Sequence, residues 1–244
     1  MTLIKRLAII LFAVIFLASC GTAPNEIEVT GDIPGVEKLY ESEYSFDKDA
    51  EPYFVSNVND KLSLSNKRGD PKYSHVMPGD NGYFVGITIG EFDGWVRYYP
   101  YYSFDPLMTG QERVICEENC RGFIKIDNKN AYMFTGLVNM GYEYGKVYKL
   151  NYSNETGWTS NLIFEGDSEV IESVYSNGTA YFITYNNLYS ISDDDKISEP
   201  LLDVSQYSLT SITALDGVIY VGTFGGVLGY NQSTGDVTFY TPTK

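Results

Sequence analysis

A tyrosine-centred apolar segment recurs five times along the 244-residue chain, and this repetition limits the folds that the chain can adopt. The segments read PYFVS, GYFVG, AYMFT, AYFIT and IYVGT, with Tyr53, Tyr83, Tyr132, Tyr181 and Tyr220 at their centres. A second alternating segment follows each of them: KLSLS, WVRYY, KVYKL, NLYSI and GVLGY. Alternation of this kind predicts β-strands, and no segment after residue 35 has the spacing of an amphipathic helix over ten residues.

The last two repeats indicate how many strands each repeat contains. AYFITYNNLYSI aligns without a gap with IYVGTFGGVLGY, and the turn pairs Asn177-Gly178 and Asp216-Gly217 precede them. A further strand comes before each turn (IESVY, LTSITAL), and another follows the second segment (KISEPLLDV, DVTFYT). Four antiparallel strands in about 40 residues are typical of a β-propeller blade.

We therefore predict an all-β fold, a small β-propeller of five blades with four antiparallel strands each. The propeller domain covers residues 37–244, and its predicted blades are 37–73, 74–118, 119–167, 168–208 and 209–244. A four-bladed or irregular propeller is the alternative within this class. A β-sandwich is the competing fold, although its strands would not repeat in register.

The final repeat resembles the two-component-regulator propeller repeat. The shared positions are Ile212, Asp216-Gly217, Tyr220, Gly222-Thr223, Gly225-Gly226 and a last apolar residue, Val227 or Leu228. In that family such blades form periplasmic sensor domains joined to a transmembrane segment and a kinase, for which this sequence has no signature. The resemblance covers one blade well and blade four weakly, and it implies the fold rather than signalling.

The N-terminal residues 1–19 have the pattern of a secretory signal peptide. Lys5 and Arg6 precede the apolar run 7–18, which is too short to cross a bilayer as a helix. The next stretch, Leu17-Ala18-Ser19-Cys20, resembles the lipobox of bacterial lipoproteins. In that family a peptidase cuts before the cysteine, and the cysteine sulfur carries a diacylglycerol. An ordinary signal peptide or an uncleaved anchor is the alternative.

The lipobox resemblance implies a location for the protein. It implies that Cys20 is lipidated and that the protein is lipid-anchored on the periplasmic side of the bacterial cell envelope. Residues 20–36 are polar and contain Pro24 and Pro34, so they are predicted to form a tether, to which EIEVT could add a strand. Gly21 follows the cysteine, where aspartate signals inner-membrane retention in many enteric bacteria. The outer membrane is therefore favoured over the inner membrane.

The charge of the chain limits its partners. The formal net charge is −15, and removal of Lys5 and Arg6 makes it −17. Such a chain repels nucleic acid, because binding there depends on neutralising phosphates with lysine and arginine. It also has no basic stripe for anionic lipid headgroups, so we expect membrane contact through the lipid alone. The expected partner is an envelope or secreted protein with a basic surface.

The remaining cysteines, Cys116 and Cys120, lie in the short segment CEENC. Because an exported compartment is oxidising, we predict a disulfide between them that holds a local turn. Free thiols are the alternative. A metal site would need more ligands than the sequence places nearby, since His75 is the only histidine.

Catalytic motifs are missing from the sequence. There is no G-x-S-x-G elbow, no H-E-x-x-H motif and no second histidine for a proton relay. We predict no catalytic residues, no metal and no cofactor, with chemistry by paired carboxylates as the open alternative. The acidic segment SDDDK at 192–196 lacks the pattern of a calcium loop and is predicted to be a solvated turn.

Loop lengths indicate a binding face. The loop between strands two and three of a blade lies on the same propeller face as the connection to the next blade. Blades four and five need 7 residues from the repeated tyrosine to the centre of the next strand, whereas blade two needs 13 and blade three needs 15. CEENC connects these two blades on the same face. Insertions that cluster on one face of a repeat protein often form its binding face.

The candidate partner-binding residues share the aromatic, methionine and acidic chemistry that is common at interfaces. They are Glu91, Phe92, Asp93, Trp95, Met140, Tyr142, Glu143 and Tyr144, with Glu117 and Glu118 at the rim. The alternative is that these side chains cover the base of their own loops. The sequence thus predicts a lipid-anchored periplasmic β-propeller that acts as a non-catalytic binding or scaffold protein, or as an immunity protein against a secreted toxin. A glycan-binding or glycan-active envelope protein is the alternative of a different class.

Overall fold

The structure is a computed structural model that describes residues 26–31, 33, 36–43, 50–67, 74–89, 94–101, 112–139 and 142–242. The predicted signal peptide and Cys20 therefore lie outside the described residues. No helix within these ranges has both the length and the hydropathy needed to cross a membrane.

Twenty β-strands make up most of the described chain. They are β1 (Glu26–Gly31), β2 (Lys38–Ser42), β3 (Phe54–Asn57), β4 (Leu62–Ser65), β5 (Ser74–Gly79), β6 (Gly82–Thr88), β7 (Gly94–Pro100), β8 (Arg113–Cys116), β9 (Cys120–Lys125), β10 (Asn130–Asn139), β11 (Tyr142–Ser153), β12 (Gly157–Gly166), β13 (Val170–Ser176), β14 (Thr179–Thr184), β15 (Asn187–Ile191), β16 (Leu202–Asp203), β17 (Leu209–Leu215), β18 (Val218–Thr223), β19 (Gly226–Asn231) and β20 (Val237–Thr241).

Blades two to five each consist of four consecutive antiparallel strands. They are β5–β8, β9–β12, β13–β16 and β17–β20, and each lies within its predicted range. The first strands of successive blades pack against one another: β5 contacts β9, β9 contacts β13, β13 contacts β17, and β17 contacts β3. Four-stranded sheets arranged around their first strands form a β-propeller, so the predicted fold is confirmed.

The first blade is built differently from the other four. Its inner part is the hairpin β3–β4, and β1 lies parallel to β4, with Val29 opposite Leu62. Strand β2 instead extends blade five, where it pairs antiparallel with β20. The four-strand plan predicted for residues 37–73 is therefore wrong, and β1 lies within the segment 20–36 that was predicted as a tether with an optional strand.

The position of Tyr53 explains this difference. In blades two to five the repeated tyrosine lies on the second strand, but Tyr53 directly precedes β3, which packs as the innermost strand of the first blade against β17. No further strand fits inside an innermost strand, so the first blade cannot follow the repeat. Strand β1 takes the outer position instead, with Ile27 and Val29 buried and the alternate positions exposed.

The predicted hairpin turns are confirmed at both sites. Asn177 and Gly178 have φ angles of 51° and 84°, and Asp216 and Gly217 have φ angles of 49° and 78°. Two successive residues in the left-handed region make a type I′ turn, whose twist matches that of the flanking strands. Asparagine, aspartate and glycine tolerate this conformation best, which is why these pairs specify the turns.

Apolar clusters fill the spaces between neighbouring blades. Between blades two and three, the rings of Phe84 and Trp158 meet edge to face with centroids 4.8 Å apart. Between blades three and four, the centroids of Phe134 and Phe182 are 5.7 Å apart. Blades three, four and five pack against neighbours on both faces, so their central strands are buried on two sides, and β18 is buried at all of its positions.

Candidate functional site

Two neighbouring hairpins project beyond the others on the propeller face that carries the turns between strands two and three. In blade five the hairpin β18–β19 ends with Thr223 opposite Gly226. The equivalent pair in blade three is Thr135 and Lys146, and the hairpin β10–β11 continues for four more residue pairs, to Asn139 opposite Tyr142. At about 3.3 Å per residue this adds about 13 Å.

Blade two has a smaller extension of the same kind. Its hairpin β6–β7 continues for two pairs beyond Gly86 and Val96, to Thr88 opposite Gly94. We call the described residues 87–89, 94–95, 136–139 and 142–145 the extended ridge. Both extensions lie where the loop lengths predict them.

The connection between blades two and three ties the two hairpins together. Asn119, in CEENC, is buried, and its Oδ1 accepts a hydrogen bond from the Ile89 amide at 3.4 Å. The Asn119 carbonyl accepts one from the Gly136 amide at 3.1 Å. The Thr88 hydroxyl also donates to the Cys120 carbonyl at 2.5 Å. The three elaborations therefore contact one another.

Glu118 points inward and braces the base of the ridge. Its carboxylate accepts hydrogen bonds from Lys146 Nζ and Thr135 Oγ1, both at 2.7 Å, and from the Tyr148 hydroxyl at 3.2 Å. The hydrogen bond to Glu118 raises the pKa of Lys146, and burial together with the Glu118 charge raises the pKa of Tyr148. Glu118 thus supports the hairpin rather than forming part of the rim, where the sequence places it, whereas Glu117 is exposed.

Two aromatic side chains of the ridge each lie beside a cation two residues along the same strand. The Arg97 guanidinium lies 4.4 Å from the centre of the Trp95 ring on β7. The Lys146 ammonium lies 5.0 Å from the centre of the Tyr144 ring on β11. Both rings are half-buried. Cation–π contacts of this kind fix the orientation of a ring that still presents part of its surface to solvent.

Of the eight candidate partner-binding residues, three have side chains that the structure describes. Trp95, Glu143 and Tyr144 all lie on the extended ridge, and Glu143 is exposed. Tyr142 is described by its backbone, which lies opposite Asn139. The other four candidates lie outside the described residues: Glu91, Phe92, Asp93 and Met140.

A buried ion pair beside the ridge was not found by sequence reasoning. Glu169 is 6 % exposed and accepts a hydrogen bond from Arg121, which lies on the innermost strand of blade three. Burial raises the pKa of Glu169, and the Arg121 charge opposes that shift. The Glu169 amide donates to Glu143 Oε1 at 3.2 Å, which links the pair to the ridge. Nothing in the local sequence marks Glu169 as buried.

The predicted disulfide is not formed, because Cys116 and Cys120 are free thiols. Cys116 lies on the outermost strand of blade two, opposite Val96, whereas Cys120 lies on the innermost strand of blade three. Both side chains pack in the apolar cluster between blades two and three, where the Cys116 sulfur is 4.0 Å from that of Met133 and Cys120 is buried. Burial raises the pKa of each thiol to about 12.

Neither a metal site nor a purely solvated acidic turn is found among the described residues. Within the described ranges, no three histidine, cysteine, aspartate or glutamate side chains lie close enough together to hold a metal ion. In the acidic turn at 192–196, Asp195 is not solely solvated, since it accepts hydrogen bonds from the Tyr132 hydroxyl at 2.6 Å and from Lys149 Nζ at 2.8 Å. This turn of blade four is therefore attached to blade three.

Comparison with known proteins gives distant structural likeness alone. No protein-family model matches the chain, and no curated protein sequence matches it. The extracellular domain of a proposed one-component system from B. thetaiotaomicron is similar, with a TM-score of 0.47, 10 % identity and coverage of 89 % of this chain and 37 % of that one. A puromycin-hydrolyzing peptidase of Mycobacterium tuberculosis is also similar, with a TM-score of 0.44 and 10 % identity, over 85 % of this chain and 42 % of the peptidase.

Virginiamycin B lyase from Staphylococcus aureus gives a TM-score of 0.37 and 16 % identity, over 80 % of this chain and 57 % of the lyase. The chain thus spans between 37 % and 57 % of the length of these three proteins. At such identities and TM-scores, the activities of these proteins are not assigned to this chain. What the strand order itself establishes is the architecture: the chain is a five-bladed β-propeller whose first blade departs from the repeat.

Proposed function

We propose that this protein is a non-catalytic binding propeller whose extended ridge binds a protein partner, and that a lipid on Cys20 holds it on the periplasmic side of the bacterial envelope. The observation that carries the proposal is the extension of two neighbouring hairpins on one face. Blade five turns four residue pairs earlier than blade three. The bases of these hairpins contact the neighbouring blades, but Val138 and Glu143 near the end of the blade-three hairpin are exposed. A role in binding accounts for this exposed part of the extension.

The surface chemistry of the ridge supports a protein partner. Ile89 and Val138 are 59 % and 45 % exposed, and the half-buried rings of Trp95 and Tyr144 lie on the same ridge. Aromatic residues are enriched at protein interfaces, where large apolar side chains surrounded by polar groups contribute most of the binding free energy. Rings already fixed by Arg97 and Lys146 would lose little side-chain entropy on binding.

The charges of the ridge favour a basic partner. Its nearest cations are already paired, Lys146 with Glu118 at 2.7 Å and Arg97 with Glu112 at 3.0 Å. Glu117 and Glu143 are exposed beside them. Together with the net charge of −15, this leaves a negative surface that would attract a positively charged protein and raise its association rate. A secreted basic toxin neutralised by this protein and an envelope protein held by it are the two forms of the proposal.

The proposal is tested by capturing partners from the envelope with the lipidated protein and identifying them by mass spectrometry. Tyr144→Ala and Trp95→Ala should each weaken the binding of a captured partner by at least about 1 kcal/mol, a common threshold for hot-spot residues. Tyr175→Ala is the matched control, because Tyr175 is an aromatic residue that is 43 % exposed beside the turn on the opposite face.

Each variant must keep the thermal transition of the wild type, since a ring that supports its own hairpin would also reduce binding by unfolding it. Full-strength capture by folded Tyr144→Ala and Trp95→Ala would place the binding surface elsewhere. In that case the rings serve to cover their own hairpins.

A further inference from the structure

A groove opens on the side of the molecule where β1 changes partners. Residues Glu26–Glu28 of β1 pair with β2, whereas Val29–Gly31 pair with β4. Strands β2 and β4 belong to different blades, so they diverge on either side of β1. The resulting groove has a volume of about 600 Å³ and is lined by β1, by the β3–β4 turn and by the β17–β18 turn. This volume lies within the range of small-molecule sites, about 300–1,000 Å³.

The floor of the groove is apolar. Ile27, Val29, Leu62 and Val218 line it, and all four are buried to at least nine-tenths of their surface. They belong to the cluster that joins β1 to blades one and five. A floor of this kind binds methylene groups but gives no favourable contact to a hydrated ion.

The rim of the groove is acidic and held by rigid turns. Five acidic residues and two lysines line the groove. Asp60 and Asp216 lie in tight turns with φ angles of 57° and 49°, which fixes their backbones. One of the two ammonium groups, that of Lys38, is already paired with Glu26 at 3.0 Å. The groove therefore keeps an excess of negative charge.

Tyr220 gives the groove a polar group without a partner. The residue is 4 % exposed, and it lines the groove. No hydrogen bond joins its hydroxyl to another of the described residues. Unlike the Tyr240 hydroxyl, which is fully buried, the Tyr220 hydroxyl is not enclosed by protein, so it is open to a ligand in the groove. Burial raises the pKa of Tyr220, so the hydroxyl keeps its proton at neutral pH and can accept a hydrogen bond through its oxygen.

We propose that this groove binds a linear polyamine, an aliphatic chain with two or more ammonium groups. Its methylene groups would cover the apolar floor, its ammonium groups would reach the rim carboxylates, and one of them would donate to the Tyr220 hydroxyl. A metal ion fits less well, because no three carboxylates within the described ranges converge on one point. Charges spread along a chain match carboxylates spread along a rim. This site is separate from the extended ridge and does not depend on the function proposed for it.

Spermidine is the probe, titrated calorimetrically into the full-length protein in detergent at about 0.1 M salt. We expect saturable binding with one site per chain. Tyr220→Phe should weaken it about tenfold, because a hydrogen bond to a charged group is lost. Tyr230→Phe is the matched control, since Tyr230 is also buried in the same blade but packs in the cluster between blades four and five.

A second pair of variants tests the rim without touching the core. Glu28 is an exposed groove residue, and Asp194 is an exposed acidic residue on another blade. Glu28→Gln should weaken spermidine binding several-fold, and Asp194→Asn should leave it unchanged, because exposed charges act over about 10 Å at 0.1 M salt. Binding that does not saturate, or that falls equally in Glu28→Gln and Asp194→Asn, would overturn the proposal, because it would show attraction to the net charge alone.

Discussion

A single buried carboxylate shows how much one residue depends on its neighbour in the next blade. Glu169 directly precedes the innermost strand of blade four, and Arg121 lies on the innermost strand of blade three. Burial favours the neutral acid, and the guanidinium favours the carboxylate. The burial effect is the larger, so the pKa of Glu169 is raised.

We predict a pH dependence of stability that belongs to Glu169. The pKa of Glu169 is raised in the folded state above the ordinary value of about 4.3, so the folded protein holds the proton more tightly than the unfolded chain does. The free energy of unfolding should therefore fall as pH rises from the unfolded pKa through the folded pKa. Urea denaturation measures this as the free energy of unfolding of the wild type minus that of Glu169→Gln. This quantity should decrease across that pH window and stay level above it.

Arg121→Ala serves as the companion variant for this prediction. Removal of the guanidinium should raise the pKa of Glu169 further and extend the window to higher pH. A difference between wild type and Glu169→Gln that increases with pH would contradict the prediction, because it would mean that the folded state favours the carboxylate.

The two cysteines lead to a second prediction at this scale. Burial raises the pKa of Cys116 and Cys120 to about 12, and the thiolate is the reactive form of a cysteine. Iodoacetamide should modify neither residue in the folded protein at neutral pH, and both should react within minutes in denaturant without a reductant. Mass spectrometry of the labelled chain measures this. Failure of both to react in denaturant would mean that they are bonded to each other.

At the scale of elements, β1 connects two blades that the repeat alone would leave separate. It pairs with β2 at the outer edge of blade five and with β4 of blade one. Gly31 ends this strand with a φ of 144°, and a Cβ atom added there would overlap the Leu64 carbonyl of β4. Glycine is therefore required at Gly31 both for its backbone conformation and for the close approach of β4.

We predict that Gly31→Ala destabilises the protein more than Gly178→Ala does. Gly178 also has a positive φ, 84°, but nothing lies within 4 Å of the position of its Cβ. Gly178→Ala, the control, should lower the free energy of unfolding by about 1–2 kcal/mol, the penalty for alanine in the left-handed conformation. Gly31→Ala should lower it further, because β4 must also move. Urea denaturation of both variants measures the difference. Equal losses would show that β4 moves away freely.

At the scale of the molecule, blade one is held to blade five by contacts at its inner edge. The Tyr53 amide donates to the Thr223 carbonyl, and the Gly225 amide donates to the Glu51 carbonyl, both at 2.9 Å. The Val55 amide donates to Ser211 Oγ at 2.7 Å. Strand β1 adds a second connection at the outer edge. The two blades that meet there come from opposite ends of the chain, so the body of the propeller depends on contacts of long sequence separation.

We predict that a lipid on Cys20 attaches the whole molecule to the membrane. Each buried methylene of an acyl chain contributes about 0.8 kcal/mol to membrane affinity, and the acidic protein adds no attraction of its own to anionic lipids. Cys20→Ala should therefore move the protein from the membrane fraction to the soluble fraction, as measured by immunoblotting. Inhibition of the lipoprotein signal peptidase should leave a heavier precursor. A Cys20→Ala protein that stays with the membranes would contradict the prediction.

The sequence by itself determined the repeated part of the architecture. Alternation of apolar residues marks the strands, and the pairs Asn177-Gly178 and Asp216-Gly217 specify hairpins through backbone conformations that few other residues tolerate. These are local properties, so they can be read without knowing the fold. The sequence also predicted which two hairpins extend and on which face of the propeller they do so. The length of a hairpin loop within a repeat fixes how far that hairpin projects.

Only the tertiary structure decided which strands complete the first blade and what surrounds the polar groups. Strand β2 pairs with β20, about 200 residues away, and no local pattern distinguishes that partner from β3. The separation of Cys116 from Cys120 and the burial of Glu169 depend in the same way on neighbours from other blades. Their environment arises when blades pack face to face, because that contact sets both solvent exposure and the nearest charge.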